Sequence, residues 1–300
     1  MPADAKTKPP RSADPPNPTD EPKQLSISKM NTPIDLNTLP ADAIRDQVRQ
    51  RYGRIALDAV AADSGCCTPQ ERCCGGELST DAESLGYSKE QADAAPAGAN
   101  LGLGCGNPHA IASLRPGQTV LDLGSGAGFD CFLAVREVGP SGYVIGVDMT
   151  HEMLAKARAN ARNAGHANVE FRLGEIEALP VADNSVDVIL SNCVINLSPD
   201  KPRVLREAFR VLRSGGRFAV SDVVATAVLP ADVRADWGAY TGCMAGASLI
   251  ADLERMLLDA GFVSVRIEPK DSSRSFIREW LPGSRVEDFL LSAAISAVKP

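Results

Sequence analysis

From Pro40 onward, Ile44, Val48, Tyr52 and Ile55 recur at helical spacing with Arg45, Arg49 and Arg51 on other faces. This pattern predicts an amphipathic helix that must dock on something. Ser88-Lys89-Glu90-Gln91 has the form of a capping box, opening a short helix that Pro96 stops. From Thr119 the pattern becomes regular. Val120, Leu121 and Leu123 form a short apolar run, glycines bend the chain, and Asp130 stands where a helix N-cap belongs, with the helix running to Val138. A strand follows from Tyr143 to Asp148, then a helix opened by Thr150 and closed by Gly165. Strands Val169 to Leu173 and Val186 to Ser191 come next, then a helix Arg203 to Leu212 stopped by Gly215-Gly216, then strand Arg217 to Val223. Past Val224 the rhythm loosens around Trp237, Tyr240 and Cys243. It resumes with helix Leu249 to Ala260, strand Val263 to Ile267 and a last apolar stretch, Ser292 to Val298. Alternating strands and helices predict an α/β fold, a doubly wound, mostly parallel Rossmann-like sheet with right-handed crossovers. The two final strands complete that sheet, and 225–248 and 269–290 cap its ligand edge.

Residues 1–40 hold nine of the 21 prolines and few large apolar side chains, too few to offset the entropy of ordering, so a disordered tail is expected. The expected division is therefore 1–40 tail, 41–112 N-terminal helical and Cys-rich cap, 113–224 core, and 225–300 C-terminal cap with sheet completion. A chain beginning near Asn31 is expected to keep its melting temperature and turnover; a large loss of either in the truncated protein would show that the tail docks. With 31 basic against 38 acidic residues and a net charge of −7 in 300 residues, a nucleic-acid acceptor is disfavoured, because phosphate binding needs clustered Lys and Arg. No apolar run reaches the ~18 residues of a membrane span, and Met1-Pro2-Ala3-Asp4-Ala5-Lys6 lacks the apolar core of a signal peptide. The expectation is a soluble cytoplasmic protein without membrane partners. In that compartment eight cysteines point to reactive thiols or soft-metal ligands rather than a disulfide scaffold.

The turn after Val120 narrows the ligand. Gly124, Gly126 and Gly128 let backbone pass close to a bound group, and the following helix aims free N–H groups at it. A dinucleotide fingerprint would need its third glycine at Phe129, and the Gly-Lys-Ser/Thr of a Walker loop is absent. Asp148 ends the next strand 20 residues beyond Gly128, where a ribose diol is held. An aspartate there also serves as a turn or cap residue, but behind such a turn the ribose reading is favoured. Asp122-x-Gly124-x-Gly126-x-Gly128 resembles the first motif of class I S-adenosylmethionine methyltransferases.

Candidate bases are few. His151 and His166 flank a surface helix and His109 lies in Asn107-Pro108-His109; each is read as a solvated side chain before a base. An acceptor with its own lone pair needs none, and arsenic(III) is such an acceptor, soft enough to favour thiolate ligands. Cys105 in Gly102-Leu103-Gly104-Cys105-Gly106-Asn107-Pro108, Cys193 in Ser191-Asn192-Cys193-Val194-Ile195-Asn196, and Cys243 in Thr241-Gly242-Cys243-Met244-Ala245-Gly246 resemble the three cysteine motifs of arsenite methyltransferases, the bacterial members especially. The similarity runs from about Ala41 to the C-terminus. It implies that Cys105, Cys193 and Cys243 hold the arsenite-derived As(III) beside the methyl of S-adenosyl-L-methionine. It also implies cofactor contacts at Asp122, Gly124, Ser125, Gly126 and Gly128, at Asp148 and Met149 by the ribose, at Glu175 and Ile176 by the adenine, and at Asn192 by the methionine end. A thiol reductant, thioredoxin or glutathione, follows from the same likeness. Cys66, Cys67, Cys73 and Cys74, in two close pairs, match a structural zinc site poorly, and a redox part for one of them is left open. Cys131 is read as core filling and Trp237 with Tyr240 as packing in a cap. Two other functions compete: a methyltransferase for a small organic acceptor, and a non-catalytic arsenic-binding protein.

Overall fold

A computed structural model describes residues 39–63 and 81–300. The expected tail up to residue 38 and Cys66, Cys67, Cys73 and Cys74 lie outside the described residues. In chain order the elements are α1 (Ala41–Asp63), α2 (Lys89–Ala94), α3 (His109–Ala112), β1 (Thr119–Leu123), α4 (Phe129–Val138), β2 (Tyr143–Asp148), α5 (His151–Ala164), β3 (Val169–Leu173) and β4 (Val186–Asn192). Then follow α6 (Lys201–Val211), β5 (Leu212–Ala225), α7 (Ala231–Arg234), α8 (Trp237–Thr241), β6 (Ser248–Leu249), α9 (Ile250–Asp259), β7 (Val263–Lys270), α10 (Arg274–Trp280) and β8 (Leu290–Val298).

One sheet runs β3-β2-β1-β4-β5-β8-β7, with the two-residue β6 beside the end of β5. Its first five strands are parallel, and β8 inserts antiparallel between β5 and β7. Both faces are covered, which is why the central strands are mostly apolar, interrupted by Asp122 in β1 and Asp187 in β4. Leu121, Leu123, Ile189 and Val220 pack with Val204, Leu205, Leu253 and Leu257 of α6 and α9. Val120, Val188, Leu190 and Ala219 pack with Phe132, Val135 and Val138 of α4 and Leu154 and Ala157 of α5. The strand order reverses between β1 and β4, so the crevice at their carboxyl ends is where a sheet of this kind takes ligands.

The amphipathic helix docks as α1. Ile44 and Val48 are buried, and at Gly53 the helix lies so close to α5 that a Cβ would stand 3.2 Å from the Glu152 carboxylate. Arg45 pairs with Glu175 and Glu177 at 3.4 Å each, and Arg49 with Glu175 at 3.3 Å, tying α1 to the loop after β3. The capping box is formed: Ser88 and Gln91 exchange both bonds at the start of α2. Two expectations need correction. Asp130 is not an N-cap; Gly128 holds that position with φ 96°, and Asp130 is buried within the first turn. Gly215-Gly216 does not stop a helix either, because the chain turns extended at Leu212 and both glycines lie within β5. Gly215 donates to the Lys299 carbonyl at 2.8 Å there, and the β4–β5 register shifts between Val186 and Val188.

Candidate active site

The turn after β1 is held from β2. Gly124 and Ser125 donate to the Val147 carbonyl at 2.8 and 3.0 Å, and Asp148 accepts from Gly126 N at 2.9 Å and Thr150 N at 2.7 Å. Gly124 sits at φ 69°, and an added Cβ would stand 2.4 Å from Val194, so both conformation and space demand glycine. Burial pushes the Asp148 carboxyl up, while the two backbone donors favour its charged form.

Asp122, Gly124, Ser125, Gly126, Asp148, Met149, Ile176 and Asn192 line one cavity. Two of the expected contacts do not. A Cβ at Gly128 would strike Phe132 at 2.7 Å, so that glycine serves the packing of α4, and Glu175 faces Arg45 and Arg49 while Gly174, Ile176 and Glu177 line the wall. The sequence reading missed Thr150 and Met153, and the whole wall built by Arg45, Val48 and Tyr52 of α1 with Leu101, Leu103 and Gly104. Helical spacing identified the apolar face of α1 but carried no sign of what it covers.

Cys105, Cys193 and Cys243 are 1%, 4% and 2% exposed. Cys105 N donates to Asn192 Oδ1 at 3.0 Å, and the Cys105 carbonyl accepts from Ser292 Oγ at 2.6 Å. Cys193 directly follows β4, its N–H bonded to the Ser221 carbonyl at 2.8 Å, and the Cys243 thiol donates to the Cys193 carbonyl at 2.7 Å. The Cys105 and Cys193 sulfurs and a carboxylate oxygen of Asp222 all lie within 4.8 Å of one another. Hydrogen bonds with the thiols of Cys105 and Cys243, then burial, push the Cys193 thiol well up; burial pushes Cys105 up. Burial also lifts the Asp222 carboxyl to about 6. Cys193 and Cys243 have φ of 59° and 62°, left-handed backbone that costs an L-residue roughly 1–2 kcal/mol. Cys193 lines the first cavity and also a second one, walled by Tyr52, Gly104, Thr241, Cys243 and Trp280. Tyr52 donates to the Thr241 carbonyl at 3.2 Å and shares the second cavity with Cys193 and Cys243.

Asn192 joins the two regions. Its Nδ2 donates to Tyr87 Oη at 2.9 Å and to the Gly106 carbonyl at 2.8 Å, and Tyr87 donates to Asp130 at 2.7 Å. His109 is not the solvated side chain expected of it. It is buried, with Nδ1 2.7 Å from Glu137 and Nε2 3.1 Å from the Asp130 carbonyl. Burial alone would lower its pKa, but hydrogen bonds and ion pairs to Asp130 and Glu137 outweigh it and raise it to about 10. His109 therefore contributes stability in full below its free-chain value of 6.5, and loses it progressively as pH rises towards about 10. Urea titrations between pH 7 and 10 are expected to show wild type losing up to ~1.4 kcal/mol per pH unit from this proton, and His109→Gln a lower start with a flatter profile. An unchanged slope in the variant would assign the loss to other groups. His151 is exposed, and His166 stacks on Phe132 with ring centroids 5.6 Å apart. Cys131 is core, donating to Asp122 at 3.3 Å, and Trp237 packs edge-on against Tyr240 at 5.9 Å.

A doubly wound sheet of this order, with a glycine turn after β1 and a carboxylate ending β2 on one cavity, makes this a class I S-adenosylmethionine-dependent methyltransferase. A family profile described as "Methyltransferase domain" matches residues 114–261. The arsenite methyltransferase of Halobacterium salinarum is 51% identical over 280 residues, 89% of this chain and 70% of that protein. That of Aquipseudomonas alcaligenes is 46% identical over 58% of this chain and 53% of its own length, so the chain spans about half of that relative. The crystal structure of an arsenic(III) S-adenosylmethionine methyltransferase from Chlamydomonas reinhardtii superposes with a TM-score of 0.56 at 35% identity, covering 72% of each chain. The chain belongs to the arsenite methyltransferase family.

The first cavity fits the methyl donor of that class. Among the described residues a Cβ at Gly126 would meet nothing within 4 Å, leaving its backbone open to a ligand, and the buried Ser125 hydroxyl has no hydrogen-bond partner. Met149, Met153 and Ile176 add an apolar stretch suited to a flat base, next to a carboxylate suited to a diol.

Proposed function

We propose that the protein methylates arsenite, with As(III) held as substrate by Cys105, Cys193 and Cys243. The observation that carries this reading is the convergence of three buried thiols from three distant segments, with Cys193 in the wall of both cavities. Asp122, Gly124, Ser125, Gly126, Asp148, Met149, Ile176 and Asn192 would hold S-adenosyl-L-methionine, Gly128 and Glu175 acting from behind the wall. When bound, the donor supplies an electrophilic methyl group on a sulfonium. The thiols do the rest of the positioning. Each one that enters the arsenic shell passes its proton to a departing hydroxide, so three thiols release three waters and leave a pyramidal, thiolate-bound arsenic with a free lone pair. That lone pair makes a general base unnecessary, in keeping with the absence of a histidine from the lining of either cavity among the described residues. Tyr52, Leu103 and Gly104 line both cavities.

Each methylation formally oxidises arsenic, so a thiol reductant, thioredoxin or glutathione, belongs to the proposal. A delivery or turnover role for Cys66, Cys67, Cys73 and Cys74 belongs to it as well, as does the division into cap, core and C-terminal cap. Among the described residues no helix is long and apolar enough to cross a membrane, and a cytoplasmic setting completes the reading. Incubation with S-adenosylmethionine, thiol and arsenite, followed by speciation of the arsenic, is expected to yield methylated arsenic. Unmethylated arsenic with intact donor binding would leave only the binding-protein or organic-acceptor alternatives.

A further inference from the structure

Asp222, in the apolar run of β5, plays no part in the chemistry described so far. It is 2% exposed, and three neutral donors fix its carboxylate: Ile195 N at 3.0 Å, Val223 N at 2.7 Å and Asn196 Nδ2 at 2.9 Å. No Lys, Arg or His nitrogen lies within ion-pair distance of it among the described residues; Lys201 acts on it only from farther away. Three neutral donors orient this buried carboxylate with no cation in direct contact among the described residues, which leaves it open to a metal ion. Its neighbours are the Cys105 and Cys193 sulfurs, within 4.8 Å, while the Cys243 sulfur stands outside that cluster. The register of β4 on β5 sets this arrangement, with Asn192 opposite Ser221 and therefore Cys193 beside Asp222.

We propose that Cys105, Cys193 and Asp222 form a site for a divalent borderline-soft cation, with zinc as its natural occupant, sharing two ligands with arsenite but not the third. Two thiolates and one carboxylate are zinc ligands, and the backbone and Asn196 bonds to Asp222 supply the outer shell that orients such a ligand. Binding would displace the two thiol protons to solvent, leave Asp222 ionised, and keep a water in the fourth position. Arsenic takes three sulfurs and needs Cys243; zinc takes the carboxylate instead. The two occupants exclude one another, so zinc is expected to raise the KM for arsenite without changing kcat.

The test uses the full-length chain with Cys66, Cys67, Cys73 and Cys74 replaced by Ser, so that those thiols add no signal. Co2+ is the spectroscopic probe and Zn2+ the competitor, in a phosphine reductant. One Co2+ per chain with thiolate charge-transfer absorption, displaced by Zn2+, is expected. Asp222→Asn should weaken Co2+ at least about tenfold while still binding arsenite, and Cys243→Ser should do the reverse. Cys193→Ser should lose both. Equal Co2+ affinity in wild type and Asp222→Asn, or a Co2+ loss in Cys243→Ser as deep as in Cys193→Ser, overturns the donor set. Should Asp222→Asn melt early, the Cys243→Ser result decides. The arsenite-binding arms and the kinetic competition rest on the arsenite reading, whereas the Co2+ arms do not. Co2+ binding without competition would count against the arsenic assignment, and competition without the Asp222 dependence would count against the cation site.

Discussion

Cys193→Ser is expected to abolish tight arsenite binding and to lower arsenite methylation at least roughly a hundredfold, while S-adenosylmethionine binding stays near wild type. A hydroxyl is a harder and far less acidic ligand than a thiol, so the substitution deletes an arsenic bond with little change of volume. Cys193 touches both other thiols and walls both cavities, which makes its loss the most damaging of the three. Cys105→Ser and Cys243→Ser should follow the same pattern. Replacing all of Cys66, Cys67, Cys73 and Cys74 should instead spare tight binding and slow turnover with reductant. Arsenic stoichiometry and affinity under reducing conditions separate the two sets. A quadruple variant that loses the tight site while Cys193→Ser keeps it would move the substrate elsewhere.

Asp148→Ala is expected to weaken S-adenosylmethionine by about 1.5–3 kcal/mol, or roughly ten- to a hundredfold, by removing a charge-assisted acceptor. The same carboxylate accepts from Gly126 and Thr150, so its loss also loosens the glycine turn that borders the cavity. Calorimetric titration of the variant with the methyl donor measures this, with arsenite binding as the control for folding. Unchanged affinity would place the ribose at another acceptor.

Where structure is made by neighbours in sequence, it was legible beforehand. The bounds of β2 follow from a buried parallel strand reading as an apolar run, and the end of α5 from Gly165 closing the helix in the left-handed region. The core of the cofactor cavity, from Gly124 to Asp148, is equally local. What long-range contacts decide was not legible. Asp130 resembled a cap because its actual partners, Tyr87 and His109, come from remote segments. Glu175 was assigned to the adenine, yet α1 arrives over the sheet edge and claims its charge with two arginines. Asp222 went unremarked although one signal was available: a carboxylate inside a run of apolar β-formers, in a strand the pattern itself predicted to be buried.

The left-handed backbone at Cys193 and Cys243 has a consequence for how such a protein changes under selection. Both positions hold a residue that is not the one the main chain would choose, since glycine or asparagine relaxes there. A screen for thermal tolerance alone therefore pulls these two codons away from cysteine, whereas a screen for survival on arsenite holds them in place. Heat and poison select in opposite directions at the same two residues, and a library sorted first for one and then for the other should show it in the codon frequencies at 193 and 243.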